Sequence, residues 1–390
     1  MPTASGPNTL GESNLIFAYD TGDVKNSYKG QPTVNAFGTY PNYPTDLYNW
    51  AYSGNACTLT QDTISSPVGN TPLKMVTTGN DAYTGTYGSS GWNISAASSG
   101  QTWTISVWAK ANQNTTGQIF HFGANSSGDI IDFSATTISL TTEWTRYTYT
   151  RTFTDGNVVA IQARLDGPDT FQSGVVVWWD GLQVEQKAYA TQFVDGTRSA
   201  TQGLLDLTGN RTIDLTNVSF NSNAQMVFDG TNDYIESPAT TLSGDFTVSQ
   251  IVNLASSANG PMPIGGGYYA NGSTYQGYVW FRNSVNQVIL AVDGELTVVF
   301  SVSSALWVNK TIMYTVRRSG STATFYINGT EIATGTISTN NFNIRTIGYS
   351  YSTSYVSNGT INNTFIYNRA LTPLEIKQNY QQYLTRFNLS

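Results

Sequence analysis

The residue types that could do chemistry are sparse and badly spaced for it. After residue 198 the glutamates are Glu236, Glu295, Glu331 and Glu375, and only two of them have a nearby carboxylate, Glu236 with Asp233 and Glu295 with Asp293. Cleaving a glycosidic bond takes two carboxyl groups flanking it, one as acid and one as nucleophile or base. Asp233 and Glu236 fall in a loop-to-strand stretch, and Asp293-Gly294-Glu295 reads as a hairpin turn. His121 is the single histidine and Cys57 the single cysteine. In QIFHFGAN, strand alternation puts His121 on the face opposite Phe120 and Phe122. Cys57, in GNACTLT, has no basic neighbour in sequence to activate it and reads as a small core residue. One His and one Cys make no zinc or redox centre. Gly265-Gly266-Gly267 lacks the lysine of a phosphate loop. The chain reads as no enzyme.

Composition narrows the classes further. The 390 residues suffice for two domains with sizeable cores. Charged residues are 11% and aromatic residues 13%, the reverse of a disordered chain. A net charge of −7 with scattered Lys and Arg argues against nucleic-acid binding. No apolar run of about 18 residues is present, so no membrane-spanning helix is expected. MPTASGPNTLGESN carries neither the basic nor the apolar region of a secretory signal, and a lone cysteine allows no intrachain disulfide. The expectation is a protein that folds in a cytosol.

Strand-like runs follow one another: Trp103 to Lys110, Trp144 to Phe153, Val158 to Leu165, Val175 to Val184, then Phe246 to Leu254, Tyr278 to Arg282, Gln287 to Val292, Thr311 to Arg317 and Ala323 to Asn328. Asp155-Gly156, Asp180-Gly181, Asp229-Gly230, Asp293-Gly294 and Asn328-Gly329 punctuate them as turn signals. The one clear helix is Thr372 to Leu384, with Thr372 as N-cap, Pro373 at the first helical position and Glu375 completing a capping box. This pattern is all-β.

Two resemblances organise it. FDGTNDYI (Phe228 to Ile235), the strands between Trp307 and Asn328, and the closing YNRALTPLEIKQNY resemble a laminin-G-like, concanavalin-A-type jelly roll. In that family the first strand and its loop run straight into the equivalent of LLDLTGN (Leu204 to Asn210). Here the match requires joining NLIFAYDTGDVKNSYKG (Asn14 to Gly30) to Ser199 onward. The segment between is similar to the carbohydrate-binding-module type of jelly roll, through TWTISVWAKA, EWTRYTYTRTF and VVVWWDGLQVEQKAYATQFVDGTRS. The implied architecture is two jelly-roll sandwiches, one inserted in the first loop of the other, with a short C-terminal helix. Its boundaries are a tail at 1–13, a discontinuous sandwich at 14–30 plus 199–390, and an inserted sandwich at 31–198. Both resemblances are to folds frequent in bacteriophage virion proteins. The glucanases of the concanavalin-A fold place Glu-x-Asp-x-x-Glu on one strand, a pattern missing from this sequence.

The binding expectations follow. Carbohydrate-binding modules of this type use an aspartate at the place of Asp180 for a structural calcium, which the resemblance implies here; the alternative is an Asp-Gly turn between strands. Asp229 and Asp233 form a second candidate for calcium, whose oxygen ligands such loops supply, or they stabilise their own turn. For sugar stacking, the aromatic candidates outside obvious strands are Tyr83, Tyr87 and Trp92 in the insert, and Tyr268, Tyr275 and Tyr351 in the other sandwich. Glycan contact, protein contact and simple packing all remain open for them. The expected role is a structural protein of the phage particle surface, a capsid decoration or short fibre, with a carbohydrate-binding or adhesion role. The alternative is a tail-associated protein recognising host polysaccharide. Expected partners are other virion proteins, cell-surface glycans and a homotrimer of the chain itself, in a virion assembled in the host cytoplasm. No heptad, collagen-like or β-helical repeat builds a shaft.

Overall fold

A computed structural model of the chain describes residues 12, 14–37, 56–68, 72–86, 93–170, 172–257, 259–266, 277–294, 296–349 and 355–389. Contacts between Cα atoms divide the chain into two compact units, one of residues 1–32, 199–221 and 225–390, the other of 33–198 and 222–224. The fold is all-β jelly roll with a short C-terminal helix. Among the described residues, no helix is long and apolar enough to cross a membrane.

In the first unit two antiparallel sheets face each other. The larger runs Ser219–Phe220, Met226–Asp229, Asn358–Tyr367, Phe246–Leu254, Thr311–Ser319, Thr322–Ile327, Thr330–Thr336. Leu15–Asp20 joins it on Asn358–Tyr367, pairing Ala18 with Phe365 and Asp20 with Asn363. The second sheet runs Ile235–Leu242, Phe342–Ile347, Ile264–Gly265, Tyr278–Arg282, Gln287–Val292, Leu296–Ser301. Alternate residues such as Phe17, Val248, Phe281, Tyr314 and Phe342 fill the space between. Phe246–Leu254 is buried on both faces because its back is covered too: Ile251 packs with Phe365, Ile376 and Tyr383 under the C-terminal helix, beside the buried Thr247 and Ser249. That helix, Pro373–Leu384, starts as its sequence dictates. The Thr372 side chain accepts from the Glu375 N–H, and the Glu375 carboxylate accepts from the Thr372 N–H at 2.7 Å.

The second unit is also a pair of sheets. One runs Thr145–Thr152, Thr102–Ala111, Val176–Glu185, Leu73–Thr77, Cys57–Gln61. In the other, Tyr83–Thr86 and Ser95–Ala96 both pair with Ala160–Asp166, which is followed by Thr115–Ala124 and Ile130–Leu140. Thr33–Val34 and Thr197–Arg198 pair antiparallel, so the chain enters and leaves the unit side by side. One seam between the sheets is polar. Arg151 forms an ion pair with Asp132 and donates to the His121 carbonyl, while the Tyr147 hydroxyl donates to the Ser139 carbonyl. Asp132 also accepts from the Thr154 and Asp155 N–H groups, so the buried carboxylate is fully engaged.

Two sequence expectations need correction. Asp180-Gly181 is no turn between strands but lies within Val176–Glu185, at a bulge where the register against Thr102–Ala111 shifts between Asp180 and Gln183. Gly181 there has φ 58°, which explains why an Asp-Gly pair reads as a turn from sequence. Tyr83 is no loop residue but opens the strand Tyr83–Thr86 and is 9% exposed.

Candidate functional site

In the second unit the sheet built on Ala160–Asp166 gathers aromatic and charged groups on the face away from the core, with Phe133 exposed, Phe120 and Arg164 half-buried, and Tyr83, Phe122, Gln162 and Asp166 buried. Ile161, Ala163 and Leu165 point into the core, so Gln162, Arg164 and Asp166 share the other face. Register brings Arg164 opposite Phe120 on one neighbour and Gly85 on the other, Asp166 opposite Gln118 and Tyr83, and Gln162 opposite Phe122. The Arg164 guanidinium lies 4.6 Å from the Tyr83 ring centre and 4.1 Å from that of Phe120. Phe120 stacks on Phe122 at 5.6 Å, and Phe122 lies 6.5 Å from Phe133. Phe133, on the edge strand, is 65% exposed. A row of flat groups thus crosses the sheet. Gly85 keeps the row close: a Cβ there would lie 2.6 Å from the Arg164 Cα and 2.5 Å from the Ala163 carbonyl oxygen.

Polar groups flank the row. Arg164 Nη2 donates to Asp166 Oδ2 at 2.7 Å, Gln118 to Asp169 at 3.0 Å, and Gln162 to Asn93 at 2.7 Å. Burial pushes the Asp166 carboxyl up to about 7, against the pull of the Arg164 charge, with Asp169 and Asp81 adding to the rise. Tyr83 is therefore a described sugar-stacking candidate that reaches such a face, whereas Tyr87 and Trp92 lie outside the described residues. Sequence reading missed Arg164, Phe120, Phe122 and Phe133. The signal available was the alternation of QIFHFGA and AIQARLD, whose non-core positions carry Arg164, Phe120 and Phe122, and Phe133 sits in the neighbouring IIDFSATTISL.

In the first unit a second aromatic surface lies on the outer face of the smaller sheet. Trp280 sits opposite Ile289, which sits opposite the exposed Val299. Trp280 meets Tyr355 edge-on at 5.4 Å and Tyr278 at 6.5 Å, and Arg282 lies 4.7 Å from its ring centre. The Trp280 indole N–H donates to the Asn259 carbonyl at 2.7 Å, which fixes the ring. Nearby in sequence, Tyr268, Tyr275 and Tyr351 lie outside the described residues.

Of the aspartates expected to bind metal, Asp229 and Asp233 are engaged by the chain. Asp180 is buried and its Oδ1 accepts from the Gly181 N–H at 2.8 Å. Asp233 accepts from the Asp229 N–H at 2.7 Å and from the Ser219 hydroxyl at 2.9 Å, one bond to each carboxylate oxygen, and Asp229 accepts from the Thr231 N–H. Calcium takes six to eight oxygens with several carboxylates among them. Among the described residues no group of three or more His, Cys, Asp or Glu side chains is arranged to hold a metal ion. Among the described residues these aspartates form no carboxylate cage.

Among the described residues, Glu236, His121 and Cys57 are engaged or sequestered, and Glu295 lies outside them. Glu236 is bound by Arg345 through Nε and Nη2, at 3.0 and 2.7 Å. His121 is buried against Phe153 and Tyr149, and burial together with the Arg151 charge lowers its pKa to about 3, leaving a neutral ring. The Cys57 thiol donates to the Tyr83 carbonyl, and burial pushes its pKa up. His121 and Cys57 stand on different sheets.

Comparison with known proteins adds a family for part of the chain. No curated protein matches the sequence. Among solved structures, the chain is similar to the botulinum neurotoxin serotype D binding domain at 16% identity and TM-score 0.37, covering 48% of this chain and 50% of that one. The botulinum neurotoxin type G receptor binding domain gives 18% identity and TM-score 0.34, over 47% and 49%. The binding domain of Paraclostridial Mosquitocidal Protein 1 gives 13% and 0.34, over 46% and 50%. The chain thus spans about half the length of these structures. Residues 229–377 match the model of the concanavalin A-like lectin/glucanases superfamily.

Proposed function

We propose that the protein is a non-catalytic surface protein of a phage particle, a capsid decoration or short appendage, and that it binds carbohydrate. The observation that carries the binding role is the sheet face on which Arg164 lies between Tyr83 and Phe120, flanked by the Gln162–Asn93 and Gln118–Asp169 hydrogen bonds. The exposed Phe133 and the half-buried Phe120 and Arg164 offer flat groups for the C–H faces of a pyranose, and Gln118 and Asp169 stand where they can serve its hydroxyls, while Tyr83, Phe122, Gln162 and Asp166 are buried and hold these groups in place. The lectin/glucanase family match over residues 229–377 supports the same reading. The particle role rests on the resemblance of both sandwiches to virion proteins, and with it come the proposed virion partners and homotrimer.

A second reading, a tail-associated protein whose main task is recognising host polysaccharide, is favoured by the separate Trp280–Tyr355 surface on the other unit. Two modest sites on one chain raise avidity on a polymer. A glycan array with the full-length protein, run with calcium and again with EDTA, tests the binding role; specific binding lost in Arg164→Ala supports it. Folded protein that binds no glycan removes it. Binding that disappears in EDTA would support calcium at Asp180. Gold-labelled antibody on intact particles tests the location, with label on the capsid or tail expected and bare particles refuting it.

A further inference from the structure

The outer face of the five-stranded sheet in the second unit carries a cluster that none of the preceding roles uses. One rung across that sheet reads Thr60, Lys74, Trp178, Lys110. The Lys110 ammonium lies between two indoles, 5.5 Å from the ring centre of Trp178 and 5.9 Å from that of Trp144. Both indole N–H groups are spent on the segment that follows Cys57–Gln61: Trp178 donates to Asp62 Oδ2 and Trp144 to the Ser65 carbonyl, each at 2.9 Å. The rings are thereby fixed, and one face of each meets the lysine.

Charge points the same way. Asp62 is engaged twice, by the Trp178 indole and by Lys74 at 3.7 Å. The other nearby carboxylate, Glu143, is exposed beside Trp144 and forms no ion pair among the described residues. Lys110 itself is half-buried and, among the described residues, has no carboxylate within ion-pair distance. Aromatic faces attract an ammonium but leave its charge uncancelled, so it keeps full attraction for an anion arriving from solvent. An acidic sugar meets both demands, since its ring stacks on an indole while its acid group reaches the ammonium.

We infer that the Trp144–Lys110–Trp178 cluster is a second saccharide site, selective for acidic sugars, above all hexuronates whose carboxylate pairs with Lys110. The inference rests on the carbohydrate-binding reading above and names a ligand class for a different face. The probes are an oligogalacturonate, a sulfated oligosaccharide of similar length and a neutral glucan oligomer, titrated calorimetrically into the full chain. The oligogalacturonate is expected to bind, with affinity falling at least about fivefold between roughly 50 and 500 mM NaCl. Lys110→Met should weaken it about tenfold or more, and Lys110→Arg should restore most of that loss while thermal unfolding stays unchanged. Preference for the sulfated oligomer would overturn the carboxylate assignment. Neutral glucan binding without oligogalacturonate binding, or oligogalacturonate binding indifferent to both salt and Lys110→Met, would overturn the site and leave the general carbohydrate reading standing. Silence with all three probes would count against both. The salt dependence of the wild-type chain tests the site even if a variant fails to fold.

Discussion

Arg164 and Phe120 face each other across adjacent antiparallel strands, with the guanidinium 4.1 Å from the ring centre. The same guanidinium binds Asp166, a carboxylate whose side chain is only 5% exposed. One residue therefore assembles the aromatic row and neutralises the buried acid beneath it.

Arg164→Met keeps much of the stacking bulk and removes the charge. The Asp166 carboxyl should then titrate above its present value of about 7 and stay protonated at neutral pH. Because protonation relieves the unpaired charge, the expected loss of stability is about 2 kcal/mol rather than the larger cost of stranding an ion. Chemical denaturation of the single and double variants with Asp166→Asn measures it. An Arg164→Met effect that persists undiminished in the Asp166→Asn background would refute the coupling.

Asp166 also gives the unit a pH dependence of definite sign. Its folded pKa is raised from 3.8 to about 7, so the folded state holds the proton more tightly than the unfolded chain. The associated stability is full below about pH 4 and drains away as pH rises to about 7, with a slope of at most ~1.4 kcal/mol per pH unit. Melting curves of wild type and Asp166→Asn across pH 4 to 8 should converge at the acid end once this slope is removed.

His121 acts in the opposite sense. Its folded pKa is lowered to about 3 from 6.5, so the unfolded chain takes the proton first. Stability from the neutral ring is full above about pH 6.5 and is lost as pH falls toward about 3. Neither ring nitrogen has a hydrogen-bond partner among the described residues, a cost of about 1–3 kcal/mol. His121→Phe, filling similar space against Phe153 and Tyr149, should raise the melting temperature, and by more at pH 5 than at pH 8. An unchanged or lower value at both would contradict the account.

Asp233 is expected to be structural. Its two oxygens hold the Asp229 N–H and the Ser219 hydroxyl at the mouth of FDGTND. Asp233→Ala should cost about 2 kcal/mol by leaving buried donors unmatched. The cost should be equal in calcium and in EDTA; a penalty seen only in calcium would make Asp233 a metal ligand instead.

The C-terminal helix offers a local test. Thr372→Ala removes the acceptor for the Glu375 N–H and should cost about 1 kcal/mol. Amide exchange should quicken in the first turn of Pro373–Leu384 and little elsewhere; uniform acceleration through the sheet would mean that the cap governs the whole unit.

What the sequence by itself determined is what short-range rules control. Strand-like runs were visible at Phe246 to Leu254, Thr311 to Arg317 and Val158 to Leu165, where strands form, and alternation set His121 apart from Phe120 and Phe122. Thr372, Pro373 and Glu375 announced the helix start because a capping box closes within one turn. Tertiary structure decided everything that depends on which strands become neighbours. Asp180-Gly181 has turn chemistry, yet pairing with Thr102–Ala111 before and after it absorbed it into a strand as a bulge. Tyr83 looked like a loop residue until it paired with Asp166, and Arg164 had no visible role until register set it between Tyr83 and Phe120. Lys110 likewise acquired its two indoles from separate segments. Alternation and capping are encoded within a few residues, whereas register is a long-range choice made by burying one face of each strand.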